Sequence, residues 1–290
     1  MNKDNVNKRR WLVGTILYFS SIGLWVILLV SFFLWLIPVL FLVYLLGVIS
    51  TTFTRKAKPW PEFKAHWVWK WFRESYFQFQ VKGPGLDYII QKKEDQKGPS
   101  SLREKDRNIL YAIYPHGVLP VTTFFYWCVN PDQFPDTITC VHSVVFQIPL
   151  IKDVAQWLSL TSVREDDIVG AYKKTTRVAI NPGGVGDIGN NSSSNDVCKR
   201  HGFLRVAKEM DALVIPIWVP QERSFFSVWK PFGDILVPYL RYPFPLFIWP
   251  IFPRKIQTDI MVGNAIDMKE FTVEEGYDQF YNVELKNLQK

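Results

Sequence analysis

The stretch Ile109-Leu110-Tyr111-Ala112-Ile113-Tyr114-Pro115-His116-Gly117 decides the fold. It begins with an apolar, β-prone run, after which Pro115 and Gly117 favour a turn. The sequence therefore predicts a buried strand that ends at a turn, with the His116 imidazole held beyond the strand end. Catalytic bases are often placed in this way, although a single histidine after a strand is also a common capping or solvated turn residue.

Apolar and amphipathic segments alternate after this turn. The alternation predicts an α/β fold with a mixed, largely parallel sheet flanked by helices. Polar residues that follow the strands would gather along one edge of such a sheet, and His116 would lie on that edge. The segments are an apolar run at 121–129, a β-rich run at 137–146, an amphipathic stretch at 149–158, a short run at 159–163, a helix at 165–175, a strand at 177–180, a helix at 199–210 and a strand at 212–219.

A glycine-rich turn, Asn181-Pro182-Gly183-Gly184-Val185-Gly186-Asp187, directly follows the strand at 177–180. Paired glycines let a ligand approach backbone N–H groups. The glycines at 184, 186 and 189 satisfy GxGxxG, but the polar run 190–195 stands where a dinucleotide site needs a helix to begin. The chain also has neither a GK[ST] phosphate loop nor a GxSxG nucleophile elbow. These patterns argue against a Rossmann site, a P-loop nucleotide enzyme and a serine esterase.

The N-terminal block contains no Asp, Glu, Lys or Arg from Trp11 to Thr54. As a helix this run would be about 66 Å long, near twice the thickness of a bilayer core. We therefore predict an N-terminal membrane hairpin over 1–54, with its break near Pro38. Basic residues flank the run on both sides and favour placing both ends in the cytosol. A cleaved secretory signal shares the basic start, but its apolar run is much shorter.

The next 36 residues, 55–90, are predicted to be an interfacial amphipathic segment, with a plain core stripe as the alternative. A polar loop is expected over 91–108, which leaves 109–290 for one globular domain. Aromatic residues mixed with prolines at 225–253 predict a face that dips into lipid, unless they form core loops. Residues 272–290 resemble a closing amphipathic helix. The aromatic side chains at helical spacing in 55–90 are Trp60, Phe63, Trp67 and Trp71.

The composition excludes several classes of function. The 34 basic and 27 acidic residues give a net charge of +7, but they form no run long enough to suggest a nucleic-acid face. Twelve Trp and 22 Phe point towards lipid instead. Three cysteines without a CxxC pair predict neither a disulfide framework nor a metal site.

Taken together, these motifs resemble the type-2 diacylglycerol acyltransferase family, which also includes monoacylglycerol and wax-alcohol acyltransferases. The resemblance covers nearly the whole chain, and Tyr114-Pro115-His116-Gly117 is similar to the family's signature. Glu222 stands where the family carries a Glu six residues after the Pro of a Val-Pro-Ile block. The other similar elements are the Trp-rich segment 67–73, Arg200-His201-Gly202-Phe203, Val214-Ile215-Pro216-Ile217 and Val262-Gly263-Asn264-Ala265-Ile266.

The sequence departs from its relatives at four places, one of which is Asp187, where the family more often carries Glu after Gly-Gly. Related phospholipid acyltransferases use His-x4-Asp, in which a carboxylate orients the imidazole, but Val121 stands five residues after His116. An acidic partner must then come from elsewhere, with Asp187 as the first candidate and Glu222 as the second. Asn264 and Ala265 replace the family's Glu and Pro, and the loop before His116 is longer than expected.

The resemblance implies transfer of a fatty acyl group from acyl-CoA to the hydroxyl of a neutral lipid, with diacylglycerol as the first expectation for the acceptor. The catalytic residues would be His116, as general base, with Asp187 and Glu222. Acyl-CoA is a co-substrate, and no further cofactor and no metal are predicted. The predicted substrate-binding residues are Tyr114, Pro115 and Gly117 of the signature, Gly183 and Gly184 as backbone N–H donors to an oxyanion, and Arg164 and Arg200 for coenzyme A phosphates or the acceptor headgroup.

The resemblance also implies residence in the endoplasmic reticulum membrane or on lipid droplets, with the catalytic domain facing the cytosol. Membrane lipids are then expected partners, nucleic acid is not, and a homo-oligomer stays open. Three alternatives remain at this point: a monoacylglycerol or wax-alcohol acyltransferase, a lysophospholipid acyltransferase, and a catalytically inactive membrane or lipid-droplet anchor.

Overall fold

The computed structural model describes residues 3–53, 57–89, 107–148, 150–189, 197–229 and 247–290. The chain divides into two compact units, Met1–Arg55 and Lys56–Lys290. Most of the predicted polar loop and the central part of the aromatic and proline-rich stretch lie outside the described residues.

The first unit is one continuous helix, α1 (Lys3–Phe53), with Pro38 inside it. The predicted hairpin is therefore wrong. A proline removes one backbone hydrogen bond and bends a helix, but it does not reverse the chain without turn-forming neighbours, and Pro38 is flanked by apolar helix formers. Within α1, Val26–Val48 is apolar enough to cross a membrane, and its 23 residues span about 35 Å. A single span of this length fits a membrane protein.

The second unit is built on an eight-stranded mixed sheet, which confirms the predicted fold class. The strands of this sheet are β1 (Gln80–Lys82), β2 (Ile109–Tyr114), β3 (Ile138–Val141), β4 (Thr161–Ser162), β5 (Arg177–Ile180), β6 (Leu213–Trp218), β9 (Asp259–Val262) and β10 (Ile266–Asp267), while β7 (Ser227–Trp229) and β8 (Phe247–Trp249) form a separate pair. The strand order is β1-β9-β6-β2-β5-β3-β4, and β10 pairs with β6. The block β6-β2-β5-β3-β4 is parallel throughout, whereas β9 and β10 run antiparallel to β6.

Strand β2, which contains the apolar run 109–113, forms the centre of this sheet. All six residues of β2 are buried, and β2 lies between β5 and β6. Alternate side chains enter different cores: Tyr114 packs on one face, whereas Tyr111 and Ile113 pack on the other. A strand that is buried on both faces is apolar throughout, which explains the uninterrupted run in the sequence.

Helices cover the sheet near the positions that the amphipathic pattern predicts. They are α2 (Pro61–Lys64), α3 (Trp67–Trp71) with a π-helical extension (Phe72–Tyr76), α4 (Ile151–Trp157), α5 (Glu165–Tyr172), α6 (Gly202–Glu209) and the closing helix, which runs from α7 (Val273–Asp278) through a π-helical stretch (Gln279–Glu284) into α8 (Leu285–Leu288). The apolar run at 121–129 forms a further helical segment that is π-helical over Thr123–Cys128.

The predicted interfacial segment 55–90 divides into two parts. Trp67 is 70% exposed and Trp71 is 47% exposed, which argues against a plain core stripe at these positions. The later part belongs to the core instead, since Phe77 and Ile89 are fully buried and β1 pairs with β9. The sequence pattern missed β1 because this strand is three residues long and lies at the sheet edge.

Candidate active site

The carboxyl ends of the parallel strands bring most of the predicted site residues to one edge of the sheet. His116 follows β2, the glycine-rich turn follows β5, and Glu222 follows β6, and these three strands are neighbours. Parallel strands place their carboxyl ends on the same edge, so the geometry agrees with the predicted edge. Arg164 also follows a strand, but it stands after β4, three strands away from β2 and about 14 Å across the sheet.

The His116 imidazole is oriented by the backbone of its own turn. Its Nδ1 lies 2.8 Å from the carbonyl oxygen of Gly117, and Gly117 has a φ of +62°, which suits glycine. A carbonyl oxygen can only accept, so Nδ1 carries the proton and Nε2 keeps its lone pair. Burial lowers the pKa of His116 below its ordinary value of 6.5, although the Gly117 carbonyl and the charge of Asp187 oppose this effect. The arrangement favours a neutral imidazole with a basic Nε2 at pH 7.

Asp187 holds the backbone of the site. Its carboxylate accepts one hydrogen bond from the His116 N–H at 3.1 Å and another from the Cys198 N–H at 2.6 Å. The buried guanidinium of Arg223 lies 4.0 Å from the same carboxylate. Burial raises the pKa of Asp187, while the two N–H donors and Arg223 lower it. Asp187 therefore joins the His116 turn to the segment that contains Cys198.

Glu222 supports the opposite side of the His116 turn. Its carboxylate accepts hydrogen bonds from the Thr122 N–H at 3.2 Å and 3.3 Å, at the start of the helical segment that follows the turn. Gly117 packs against Glu222, because a Cβ at this position would lie 3.4 Å from the Glu222 Cγ. Burial raises the pKa of Glu222 to about 8, although N–H groups of Val121 and Thr122 oppose this effect.

Neither carboxylate contacts the imidazole ring. Among the described residues, the ring's hydrogen bond is the one to Gly117, and the expected carboxylate–imidazole contact is absent from this part of the chain. The sequence suggested a carboxylate because related enzymes use one, but the carbonyl of the next residue can fix the tautomer equally well. Asp187 and Glu222 surround the turn and position its backbone.

The glycine-rich turn requires glycine at Gly183. A Cβ there would lie 1.9 Å from an Asp187 carboxylate oxygen, so any side chain would displace the buried carboxylate. Of the predicted oxyanion donors, the Gly184 N–H donates to the Asn181 carbonyl oxygen at 3.1 Å within the turn. Gly183 is thus the better candidate for the backbone N–H that would bind an oxyanion.

Asn181 is a site residue that the sequence analysis did not single out. Its Nδ2 donates to the Ile113 carbonyl oxygen at 3.1 Å, and its Oδ1 accepts from the Thr123 hydroxyl at 2.9 Å. The side chain therefore joins the end of β2 to the helical segment after His116. Its position directly after β5 was the available signal, but an Asn before Pro is also a common turn residue.

The remaining predicted residues take two different positions. Tyr114 is fully buried and its hydroxyl lies 2.6 Å from that of Tyr281, so it contacts protein rather than open space. Pro115 is also buried. Arg200 and Arg164 are exposed, and only Arg200 lies near the glycine-rich turn, with its Nη2 3.8 Å from where a Cβ on Gly186 would be.

The substitution of Asn264 for the family's Glu has a local explanation. The Asn264 backbone N–H donates to the Glu284 carboxylate at 3.0 Å, and its side-chain amide donates to both carboxylate oxygens at 3.3 Å. A carboxylate at 264 would repel Glu284, which is largely buried. This departure therefore belongs to the packing of the closing helix.

Comparison with known proteins shows which family the chain belongs to. The family model described as diacylglycerol acyltransferase matches residues 27–238, well over half of the chain. Diacylglycerol O-acyltransferase 2 of Dictyostelium discoideum is 22% identical over 254 residues, which cover 76% of this chain and 72% of that protein. Among solved structures, the 1-acyl-sn-glycerophosphate acyltransferase PlsC of Thermotoga maritima overlaps with a TM-score of 0.46 and 13% identity, over 77% of each chain. The chain belongs to the diacylglycerol acyltransferase family and is an acyltransferase.

Proposed function

We propose that this protein transfers a fatty acyl group from acyl-CoA to the hydroxyl of a neutral lipid, with diacylglycerol as acceptor and triacylglycerol as product. The observation that carries the proposal is the His116 turn, whose imidazole presents a lone pair on Nε2 while Nδ1 is bound to Gly117. The family and its Dictyostelium relative supply the class of substrates.

His116 acts as the general base. Its Nε2 takes the proton of the acceptor hydroxyl while that oxygen attacks the thioester carbonyl carbon, a role worth about 10² to 10⁴ in rate. The carbon–sulfur bond then breaks, and the leaving thiolate takes the proton back from the imidazolium. The products are the ester and free coenzyme A, and the imidazole returns to its neutral form.

Backbone N–H groups stabilise the oxyanion of the tetrahedral intermediate. We assign this role to Gly183, since the N–H of Gly184 already donates to Asn181. Gly183 also packs directly against Asp187, which holds the His116 backbone. The base and the oxyanion donor are thereby held by the same carboxylate.

Exposed aromatic residues bring the second unit to a membrane surface. Trp60, Trp67 and Trp71 are between 45% and 70% exposed, and Phe252 packs against Phe72, with ring centroids 5.5 Å apart, while remaining 48% exposed. Tryptophan favours the headgroup region of a bilayer. The contact would let a water-insoluble acceptor enter the site from the membrane. The endoplasmic reticulum and lipid droplets are the membranes that the family resemblance favours.

An assay with separate acceptors tests the proposal. Membranes that contain the full chain receive labelled oleoyl-CoA with diacylglycerol, monoacylglycerol, a long-chain alcohol or lysophosphatidate, and His116→Ala runs in parallel. We expect product from diacylglycerol that is lost in the variant. Product from monoacylglycerol alone, or from the alcohol alone, would replace diacylglycerol as the proposed acceptor. Product from lysophosphatidate alone would make this a phospholipid enzyme. No product from any acceptor, in a folded and membrane-bound protein, would favour an inactive anchor.

A further inference from the structure

The closing helix places the hydroxyl of Tyr281 against the segment that carries Arg200. This residue lies in the π-helical stretch Gln279–Glu284 and is only 4% exposed. Its hydroxyl accepts a hydrogen bond from the Arg200 N–H at 2.8 Å and donates one to the Arg200 carbonyl oxygen at 3.1 Å. One side chain therefore fixes both backbone polar groups of Arg200.

The same hydroxyl also joins the closing helix to β2. The Tyr114 hydroxyl shares its proton between the Tyr281 hydroxyl, 2.6 Å away, and the Cys198 carbonyl oxygen, 3.2 Å away. Cys198 in turn donates its N–H to Asp187. The segment 198–200 is thus held from two sides, by Asp187 and by the two tyrosines.

The side chain of Arg200 extends from this held segment. Its backbone is fixed by Tyr281, its side chain is exposed, and its guanidinium lies beside Gly186 in the turn that carries Gly183. Gly186 makes room for Cys198, because a Cβ there would lie 2.5 Å from the Cys198 sulfur, whereas the Arg200 guanidinium stands at ordinary contact distance. A guanidinium at this edge is suited to binding a phosphate group of the acyl donor.

We propose that Tyr281 is a positioning residue that holds Arg200 against the glycine-rich turn, where Arg200 binds a phosphate of the acyl donor. The inference rests on the proposed use of acyl-CoA. Without the Tyr281 hydroxyl, the Arg200 backbone loses two hydrogen bonds and the guanidinium is no longer directed to the turn. Loss of the hydroxyl should therefore weaken binding of the acyl donor and leave the base in place, because His116 keeps its own contacts with Gly117 and Asp187.

Donor kinetics of the full chain in membranes test this inference. The donors are oleoyl-CoA and oleoyl-pantetheine, a thioester without phosphate groups, and the variants are Tyr281→Phe, Arg200→Ala and their double variant. We expect Tyr281→Phe and Arg200→Ala each to raise the KM for oleoyl-CoA about 5- to 10-fold, with little change in the KM for oleoyl-pantetheine. The double variant should add little to either single change, because both act through one contact.

Tyr277→Phe is the matched control. Tyr277 lies one turn earlier on the same helix and stacks on His201 at 4.1 Å, but within the described part of the chain no hydrogen bond involves its hydroxyl. Its donor kinetics should equal those of the wild type. If Tyr281→Phe does not fold, Arg200→Ala still tests whether Arg200 binds the donor phosphate. The Arg200 side chain is exposed, so its removal should leave the fold intact.

Three results would overturn the inference. They are an unchanged KM in Tyr281→Phe or in Arg200→Ala, an equal rise with both donors, or additive effects in the double variant. A wild-type protein that transfers no acyl group from oleoyl-CoA would overturn the proposed function and this inference together. Transfer by the wild type with unaffected variants would overturn only the inference.

Discussion

Two buried carboxylates flank the His116 turn, and they do different things. Asp187 follows β5 and binds N–H groups from two segments that are far apart in sequence, those of His116 and Cys198. Glu222 follows β6 and binds the Thr122 N–H, at the start of one helical segment, with both carboxylate oxygens. Burial raises the pKa of both carboxyl groups, but Asp187 has the buried guanidinium of Arg223 4.0 Å away, which opposes this effect. The comparison teaches that Asp187 assembles the site, while Glu222 supports a local turn.

Substitution of Asp187 should have the largest effect. Asp187→Asn keeps the shape but turns an amide N–H₂ towards one of two buried N–H donors, so the His116 turn must move. We expect kcat to fall by about 100-fold, because a displacement of about 1 Å in an active site can lower the rate by this factor. Assays of kcat in Asp187→Asn and Glu222→Gln, with thermal midpoints for both, check this. An equal loss of kcat in the two variants would contradict the comparison.

Gly183→Ala should also disturb the Asp187 carboxylate, because Gly183 packs directly against it. The new Cβ would meet the Asp187 carboxylate at 1.9 Å, and neither group has room to move. Overpacking of this kind costs about 1–3 kcal/mol in unfolding free energy and should lower kcat. Denaturant unfolding measures the first effect and initial rates measure the second.

Gly170→Ala is the matched control for this change. Gly170 lies inside α5, and apart from the backbone of this helix no atom stands within 4 Å of the place that an added methyl group would take, so alanine should stabilise the protein by about 1 kcal/mol. A harmless Gly183→Ala would show that Asp187 is not confined as the contacts indicate.

The protonation of Glu222 should appear as a pH dependence of stability. The pKa of Glu222 is about 8 in the folded protein, whereas the ordinary value of 4.5 applies to the unfolded chain. Between these two pH values the folded chain therefore holds a proton that the unfolded chain has released. Stability should therefore fall as the pH rises from about 4.5 to about 8, by up to 1.4 kcal/mol per pH unit. Glu222→Gln should remove this part of the slope. Unfolding at pH 5 and pH 8 in both proteins measures it, and parallel slopes would refute the assignment.

The smallest effect is expected at the exposed aromatic residues. Trp67→Glu should lower transfer to a long-chain acceptor in vesicles severalfold, while a short-chain, water-soluble acceptor should be used as before. Val283→Glu is the control, since Val283 is also exposed but belongs to the closing helix. If the two variants respond alike with the vesicle-bound acceptor, the membrane contact lies elsewhere.

The central strands could be predicted because they are buried on both faces. An uninterrupted apolar run such as 109–113 has few alternatives to a core strand, and the turn after it places His116 on the sheet edge. The same logic placed the glycine-rich turn, whereas Glu222 came from the family resemblance alone. The helices over the sheet followed from amphipathic patterns, although their ends shifted by a few residues.

The contacts of the site could not be predicted in the same way. The bond of Asp187 to Cys198 and the contacts of Tyr281 join segments whose proximity depends on the whole fold. The tautomer of His116 depends on a carbonyl that carries no signal in the sequence. The hairpin prediction failed because a proline was treated as a turn, while the apolar residues on both sides of Pro38 favour a helix that continues.

The pH dependence of kcat/KM, measured with and without His116, tests the central claim most directly. Burial lowers the pKa of His116 below 6.5, so the base is lost only as the pH falls below that value. We predict a plateau through pH 7 to 8 and an acid limb below pH 6.5 in the wild type, and no transfer above background in His116→Ala. Transfer by His116→Ala with the same acid limb would contradict the assignment of His116 as the base.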